Sequence, residues 1–212
     1  MKPQIPTAVV TDFDGTVTTC DVGDAICLNF GAATREEVRL SYAKTASVKL
    51  CMRRFFARLA AEPDAVRRFV LSNTVMRDGF APAARRLARA GVPLEIASGG
   101  LDIYIGPLLK KWGVSAAAVF CGRARHENGR FRVTYPQIRD ALEQFKAARV
   151  RHYKKRGCKV IFCGDATSDL KAASQADTVF ACGRLSALCR EAGIKARRLH
   201  DFGEVARAAL ES

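Results

Sequence analysis

The sequence lacks the features that mark several classes of protein. None of its eight cysteines forms a C-x-x-C pair, and Cys163 lies inside an apolar run, so we expect reduced, buried thiols rather than a disulfide framework or a zinc site. No apolar stretch approaches the length of a membrane span, and residues 1–6 show no secretory signal. We therefore predict a cytoplasmic protein with no membrane partner.

Internal repeats, low-complexity segments and Gly/Ser/Pro-rich linkers are also missing from the 212 residues. What the sequence has in excess is positive charge: 35 Lys and Arg against 21 Asp and Glu give a net charge of +14. A basic stretch at 149–159 is typical of nucleic-acid binders. The basic residues are nevertheless spread along the chain without interleaved aromatic residues, so we favour solvated helix faces and expect no nucleic-acid partner. The positive field would also attract anionic phosphate esters.

Short apolar strands alternate with helices along most of the chain. Strands are predicted over 8–11, 92–97, 159–163 and 178–181, helices over 82–90, 102–112 and 137–156, and a hairpin over 123–135. This alternation indicates an α/β fold with a doubly wound, Rossmann-like parallel sheet.

Residues 21–74 interrupt the alternation. No strand is recognisable there, Thr34–Glu37 forms a capping box, and Arg53–Ala61 follows a helical period. We therefore predict two units. One is an α/β core of residues 1–20 and 75–212, and the other is a small helical cap, 21–74, inserted after the first strand over the carboxyl ends of the sheet.

Three polar clusters fall where predicted strands end. They are D-F-D-G-T at 12–16, S-G-G at 98–100 and G-D-A-T-S-D at 164–169. Each alone would be an ordinary turn, but together they are improbable as coincidence. The carboxyl ends of parallel strands lie side by side, so four carboxylates would crowd one crevice. A cation must neutralise them, and an all-oxygen ligand set suits Mg²⁺.

The D-x-D spacing has a chemical interpretation. Alternate residues leaving a strand point the same way, so Asp12 and Asp14 can both face a ligand. One can attack phosphorus while the other transfers a proton. Gly15 lets backbone N–H groups approach a transferring phosphoryl group, and Ser98 with its following amides can bind the oxygens. The residues therefore predict an enzyme that attacks phosphate esters with one aspartate of this pair as the nucleophile and the other as the acid and base.

These motifs resemble those of the haloacid dehalogenase superfamily of phosphohydrolases, over nearly the whole chain. The resemblance is greatest to the branch that holds phosphoserine phosphatase and a methionine-salvage phosphatase, in which an insertion after the first motif forms a cap. It implies Mg²⁺-dependent hydrolysis of a small phosphorylated metabolite, of methionine-salvage or phosphoserine type, through an aspartyl-phosphate.

The resemblance also implies roles for the carboxylates. Asp12 is the nucleophile and binds Mg²⁺. Asp14 protonates the leaving group, activates water and contacts the metal through its carbonyl. Asp165 is a further metal ligand, and Asp169 supports the metal or its waters.

A second set of residues would bind the phosphoryl group. The resemblance assigns this role to Ser98, Gly99 and a lysine before the last motif strand, for which Lys146 has the expected spacing. Lysines nearer the strand are rivals by residue type: Lys154, Lys155 and Lys159.

Substrate selection is assigned less directly. Asp21 occupies the position of a substrate-contacting glutamate of phosphoserine-type enzymes. Arg53 and Arg54 are the nearest counterparts of their carboxylate-binding cap arginine, although a solvated helix face is our favoured interpretation of both. The methionine-salvage enzymes often carry a cysteine-rich stretch where this chain has a basic hairpin.

Two alternative functions stay open. A phosphotransferase, or a phosphatase acting on nucleic-acid ends, would use the same fold and would account for the basic balance. A non-catalytic binding protein is disfavoured because Asp12, Asp14 and Asp165 are all present.

Overall fold

The computed structural model describes residues 5–43 and 47–211, with the backbone alone described at residues 42 and 43. Within these residues the strands are β1 (Thr7–Thr11), β2 (Leu94–Leu101), β3 (Ala118–Glu127), β4 (Arg130–Thr134), β5 (Lys159–Gly164), β6 (Thr178–Ala181) and β7 (Ala196–Arg198). They form one sheet in the order β4-β3-β2-β1-β5-β6-β7. All neighbours are parallel except the β3–β4 hairpin.

Helices connect the strands and cover the sheet. They are α1 (Val22–Asn29), α2 (Arg35–Ala43), α3 (Val48–Ala57), α4 (Pro63–Asn73), α5 (Phe80–Arg89), α6 (Asp102–Lys111), α7 (Leu142–Lys154), α8 (Leu170–Ala173), α9 (Gly183–Glu191) and α10 (Phe202–Leu210). Every residue of the central strand β1 is buried, so both faces of the sheet are covered there. The predicted α/β fold with a doubly wound sheet is confirmed.

Residues 21–74 contain α1 to α4 in their described part, and no strand, as expected. The predicted capping box forms: the Thr34 N–H donates to Glu37 Oε2 at 2.9 Å, and the Glu37 N–H donates to Thr34 Oγ1 at 3.1 Å. A single antiparallel bridge between Thr18 and Met76 joins the two chain segments that flank the insertion. The division into a core and a cap stays a prediction.

Two predicted boundaries were wrong. Helix α7 begins at Leu142 rather than 137, because the carbonyls of residues 138, 139 and 140 accept hydrogen bonds from the Lys49 ammonium of α3 instead of from helical N–H groups. Strand β2 does not end in a turn at Ser98. It continues to Leu101 with a shift in its register against β3, and α6 follows directly.

The basic segment 149–159 is not purely a solvated surface. The Arg149 guanidinium donates to both carboxylate oxygens of the buried Glu95, at 2.5 and 2.8 Å, and lies over the Phe120 ring. Lys154 pairs with Asp177 at 2.8 Å. The expectation of solvated faces was therefore wrong for Arg149, which holds α7 against the sheet, whereas Lys154 pairs with Asp177 at the exposed surface.

The cysteines and the helices bear on two further expectations. All eight cysteines are free thiols, but Cys20 is exposed, so the expectation of burial was wrong there. In the described part of the chain, no helix is long and apolar enough to cross a membrane.

Candidate active site

Three carboxylates meet at the carboxyl ends of two neighbouring strands. Asp12 follows β1, while Asp165 and Asp169 follow β5. Parallel pairing sets Thr11 beside Cys163, and the Asp12 N–H donates to the Cys163 carbonyl at 2.9 Å. One oxygen from each of the three carboxylates lies within 4.8 Å of the others. The sheet register thus brings together carboxylates that are more than 150 residues apart in sequence.

Lys146 enters this cluster from α7. Its Nζ lies 2.8 Å from Asp12 Oδ2 and 2.7 Å from Asp169 Oδ1, and the side chain is 1% exposed. The second oxygen of Asp169 accepts hydrogen bonds from the backbone N–H groups of Asp165 and Ala166, at 3.1 and 3.0 Å. Both oxygens of Asp169 are therefore engaged, and Asp169 connects the lysine to the loop after β5.

Of the lysines considered from the sequence, the structure brings Lys146 into the cavity. The rivals lie elsewhere: Lys154 pairs with Asp177, and Lys155 and Lys159 are exposed. The distance along the sequence from the last motif was thus the useful signal. It separates Lys146, on the inner face of α7, from the lysines at the end of that helix and at the start of β5.

The charge of the cluster is unbalanced. Ionisation of all three carboxylates against protonated Lys146 would leave two negative charges uncompensated. Burial raises the pKa of Asp12 to about 6 and that of Asp165 to about 8. Burial opposes the charge of Lys146 as well, but Asp12 and Asp169 outweigh it and raise the lysine pKa. A buried, all-oxygen, net negative cluster has the donor chemistry of a hard divalent cation such as Mg²⁺.

Gly15 makes room for this arrangement. Its φ is +71°, and a Cβ built on it would lie 2.3 Å from Asp165 Oδ2. Any side chain at position 15 would therefore push Asp165 out of the cluster, and an L-residue there would also be strained. The glycine of the D-x-D-G-T motif is required by the close approach of two loops.

Asp14 is held apart from the three-carboxylate cluster. Its Oδ2 accepts a hydrogen bond from the Tyr104 hydroxyl at 2.6 Å, and its Oδ1 accepts one from the Val22 N–H at 3.0 Å. Burial, with the nearby charge of Asp21, raises the pKa of Asp14 well above its ordinary value. The carboxyl group is therefore oriented by two donors and lies in surroundings that favour its protonated form.

Ser98 and Gly99 form the neighbouring part of the cavity wall. Ser98 is 1% exposed, and its Oγ accepts a hydrogen bond from the Gly100 N–H at 2.9 Å. The Gly99 carbonyl accepts one from the Tyr135 hydroxyl at 2.8 Å. Ser98 and Gly99 line the same cavity as Asp12, Asp14 and Lys146.

Two residues of this region were not found from the sequence. Tyr104 orients Asp14, and Arg77 donates from Nε to the Thr16 carbonyl at 2.6 Å and from Nη2 to the Gly15 carbonyl at 2.7 Å. The sequence did contain one indication of Tyr104, the adjacent glycines Gly99 and Gly100. A Cβ on Gly100 would lie 2.2 Å from the Tyr104 hydroxyl oxygen, so that glycine marks a close approach. Arg77 carries no motif that would distinguish it from other arginines.

The cavity above these groups has a volume of about 310 Å³ and an apolar side. Val48 and Met52, one turn apart on α3, face Leu142 of α7 across it. Asp21 also lines it, and the Asp21 carboxylate caps α1 by accepting from the Asp24 N–H at 2.8 Å.

Arg53 and Arg54 do not line this cavity. They follow Met52 on α3, and steps of about 100° per residue turn them toward solvent. The Arg53 guanidinium lies 5.8 Å from the centre of the Tyr135 ring, and Arg54 lies 3.7 Å from the carboxylate of Glu37. Both side chains thus lie outside the cavity lining, and their role in binding a substrate carboxylate stays a prediction.

The fold and the cavity together define a phosphate-ester hydrolase of the doubly wound α/β class. The chain belongs to the haloacid dehalogenase-like hydrolase family, whose model matches residues 9–174, and it is a phosphoric monoester hydrolase.

Relatives support this assignment, and a solved structure shares the fold. A 2-hydroxy-3-keto-5-methylthiopentenyl-1-phosphate phosphatase from Bacillus velezensis is 28% identical, over 93% of this chain and 87% of the relative. One from Geobacillus thermodenitrificans is 30% identical, over 90% and 89%. A substrate-bound phosphoserine phosphatase structure superposes with a TM-score of 0.76 at 17% identity, covering 97% of this chain and 99% of the other.

Proposed function

We propose that this protein is a cytoplasmic, Mg²⁺-dependent phosphatase that hydrolyses a small-metabolite phosphate monoester through an aspartyl-phosphate on Asp12. The observation that carries the proposal is the buried cluster in which Lys146 contacts Asp12 and Asp169 beside Asp165. A nucleophilic carboxylate, a cation for the phosphoryl oxygens and ligands for a metal lie within a few ångströms of one another. The cavity volume of about 310 Å³ suits a small ester.

Asp12 and Asp165, with the carbonyl of Asp14, would hold the Mg²⁺. Asp169 has both oxygens engaged by Lys146 and two N–H groups, so it would act in support through Lys146 and the loop after β5. When bound, the ion would neutralise the carboxylates and polarise the phosphoryl oxygens. The unbalanced charge of the cluster supports this part of the proposal.

The first chemical step belongs to Asp12 and Asp14. An Asp12 carboxylate oxygen attacks phosphorus, and the bond from phosphorus to the ester oxygen breaks. The departing oxygen takes the proton of Asp14, whose protonated form is favoured because burial raises its pKa well above the ordinary value. Ser98, the Gly99 N–H and Lys146 would bind the phosphoryl oxygens as charge moves onto them.

The second step regenerates the enzyme. Asp14, now a carboxylate, takes a proton from water as the water oxygen attacks the phosphorus of the aspartyl-phosphate. The bond from Asp12 to phosphorus breaks, and inorganic phosphate leaves. Tyr104 positions Asp14 for both steps through its 2.6 Å hydrogen bond.

The apolar side of the cavity favours a methionine-salvage-type substrate. Val48, Met52 and Leu142 would pack against an apolar group such as the methylthio group that the relatives' substrate name specifies. A zwitterionic amino-acid phosphate would place its carboxylate against this same surface. Burial of a charge against apolar side chains is unfavourable, and Arg53 and Arg54 do not line the cavity. Arg184 does line it, and it is the arginine that would have to pair with such a carboxylate.

A phosphoserine-type substrate is the second candidate. The carboxylate of Asp21 in the cavity wall is an acceptor for a substrate ammonium group. Likeness of the fold to phosphoserine phosphatase is consistent with this candidate.

The test is a Mg²⁺-dependent activity screen. The substrates would be 2-hydroxy-3-keto-5-methylthiopentenyl-1-phosphate, phosphoserine, phosphocholine, phosphoethanolamine and p-nitrophenyl phosphate. Asp12→Asn would serve as the blank, and we expect it to lose activity by at least about 10⁴-fold. We expect the methylthio substrate to have the highest kcat/KM. Wild-type turnover in Asp12→Asn would refute the nucleophile assignment, and a preference for phosphoserine would refute the substrate assignment alone.

A further inference from the structure

A second cavity lies between α9 and the edge strand β7, and its lining is strongly basic. Its volume is about 660 Å³, roughly twice that of the active-site cavity. Of the fourteen lining residues that the structure describes, none is acidic. Five carry a permanent positive charge, and a histidine adds a sixth basic group: Arg77, Arg190, Lys195, Arg197, Arg198 and His200.

The positive charges of this cavity have no carboxylate partner within the part of the chain that the structure describes. Among the ion pairs of the described residues, none includes any of the five lysine and arginine side chains. Arg149, Lys154 and Arg58, by contrast, each pair with an acidic side chain, although with 35 Lys and Arg against 21 Asp and Glu many cations of this chain have no such partner. The Arg197 guanidinium lies over the Phe180 ring, 5.6 Å from its centre, which does not neutralise its charge. Five like charges that line one concavity repel one another, and a bound anion would relieve that repulsion.

Arg77 links this cavity to the loop that carries the nucleophile. Its Nε and Nη2 hold the carbonyls of Thr16 and Gly15, and Nη2 also lies 3.5 Å from Cys182 Sγ. Its Nη1 has no hydrogen-bond partner among the described residues, so donors remain for a ligand. An anion in the second cavity could therefore share a guanidinium with the D-x-D-G-T loop.

Protection of the sheet edge explains only part of this charge. Strand β7 is an edge strand, and cations on an edge hinder pairing with another chain. That function would account for Lys195, Arg197 and Arg198. It does not account for Arg190, which comes from α9, or for Arg77, which precedes α5. Three separate parts of the chain converge on the same concavity with the same sign of charge.

We propose that this cavity is a binding site for a small polyanion, namely a phosphate-bearing small molecule with two or more negative charges. Guanidinium groups bind phosphate oxygens through paired, charge-assisted hydrogen bonds, and several of them around a cavity suit a multiply charged ligand. A nucleic acid fits less well, because the described lining includes no Phe, Tyr or Trp on which a base could stack. The site is separate from the active-site cavity and does not depend on the function proposed above.

The test is calorimetric titration of the metal-free protein in EDTA with inorganic pyrophosphate as the probe. Without metal, the carboxylates of the active site repel an anion, so binding reports on the second cavity. We expect one pyrophosphate per chain. The double variant Arg190→Ala/Arg198→Ala should weaken the Kd by at least about 10-fold, since each charge-assisted hydrogen bond contributes substantially.

The matched control is Arg86→Ala/Arg89→Ala, which removes two exposed arginines of α5 and the same total charge. It should change the Kd by less than about 2-fold, and both double variants should keep the wild-type thermal midpoint. Three results would overturn the proposal. They are no binding by the wild type, equal weakening in both double variants, or an oligothymidylate that binds more tightly than pyrophosphate and loses affinity in the cavity variant alone.

Discussion

The two sides of the active-site cavity are built differently. Its floor consists of polar groups that hold one another: Lys146 contacts two carboxylates, and Asp14 accepts from two donors. Its other side, to which α3 contributes Val48 and Met52, is apolar, and Val48 is 38% exposed. Strand pairing and hydrogen bonds determine the floor, whereas the other side depends on how α3 lies over the sheet.

We infer that the polar floor carries out the chemistry and that the apolar side selects the substrate. In the proposed mechanism, the groups of the floor act on the phosphoryl group and the leaving oxygen, which all phosphate monoesters share. The apolar side contacts what remains of the substrate. The Lys49 ammonium connects the two sides of the cavity. It donates to the carbonyls of Ile138 and Asp140, at 3.0 and 2.7 Å, and so holds α3 near the start of α7.

The largest effect is expected from Lys146→Met. This change leaves Asp12 and Asp169 without their shared cation in a buried site, so we expect a loss of about 3–5 kcal/mol in the free energy of unfolding. Turnover of p-nitrophenyl phosphate should fall by roughly 10³-fold. The measurements are urea denaturation in EDTA and steady-state kinetics with Mg²⁺.

Lys154→Met is the matched control, since Lys154 lies on the same helix and pairs with Asp177 near the surface. That pair is partly exposed, so its loss should cost less than about 1 kcal/mol and leave turnover unchanged. Equal destabilisation by both variants would remove the distinction between the floor and an ordinary surface pair.

The next largest effect is expected from Asp165→Asn, on the thermal midpoint with and without Mg²⁺. In the metal-free protein the raised pKa of Asp165, about 8, means that its proton favours the folded state. That contribution is complete below the unfolded pKa near 3.8 and is lost as pH rises toward 8. We therefore expect the thermal midpoint of the wild type in EDTA to fall relative to that of Asp165→Asn over this interval.

Adding Mg²⁺ should raise the wild-type midpoint, and more at pH 8 than at pH 5, because a proton must leave before the ion binds. The midpoint of Asp165→Asn should respond little, and its activity should fall by about 10²-fold or more. A full response of the variant to Mg²⁺ would mean that the ion binds elsewhere.

Much of the floor was predictable from the sequence because of one geometric fact. Parallel strands bring their carboxyl ends to one edge, so the clusters at 12–16, 98–100 and 164–169 had to converge once the strands were recognised. The spacing before Gly164 then favoured Lys146. The prediction was less accurate for Ser98, which lies within β2 and not in a turn, since a register shift cannot be seen in composition.

The residues that the sequence did not reveal depend on contacts between distant segments. Arg77 reaches the Gly15 carbonyl across 62 positions, and Tyr104 reaches Asp14 across 90. The directions of Arg53 and Arg54 depend on the rotation of α3 about its axis, which a short amphipathic helix does not specify. The apolar side of the cavity was hidden for the same reason.

A smaller effect is expected from Tyr104→Phe, which removes the hydroxyl that orients Asp14. We expect kcat to fall by about 10- to 100-fold with a modest change in KM, because Asp14 keeps the Val22 N–H as its other donor. The donated hydrogen bond lowers the pKa of Asp14, so in the variant that pKa should rise and the pH–rate profile should move upward. Tyr153→Phe, which removes a hydrogen bond to Glu95 away from the cavity, is the control. Equal kinetics in both variants would exclude a positioning role for Tyr104.

The smallest effect tests the apolar side of the cavity and depends on the proposed substrate. Val48→Thr keeps the shape of the side chain but adds a hydroxyl, so it should lower kcat/KM for the methylthio substrate by about 5- to 10-fold. Turnover of phosphoserine should change by less than about 2-fold, since a charged substrate loses no apolar contact there. Leu50→Thr, on the same helix but 60% exposed and outside the cavity, should leave both values unchanged. If Val48→Thr lowered kcat/KM equally for both substrates, α3 would affect the chemistry at the floor as well as substrate selection. The two sides of the cavity would then not have separate roles.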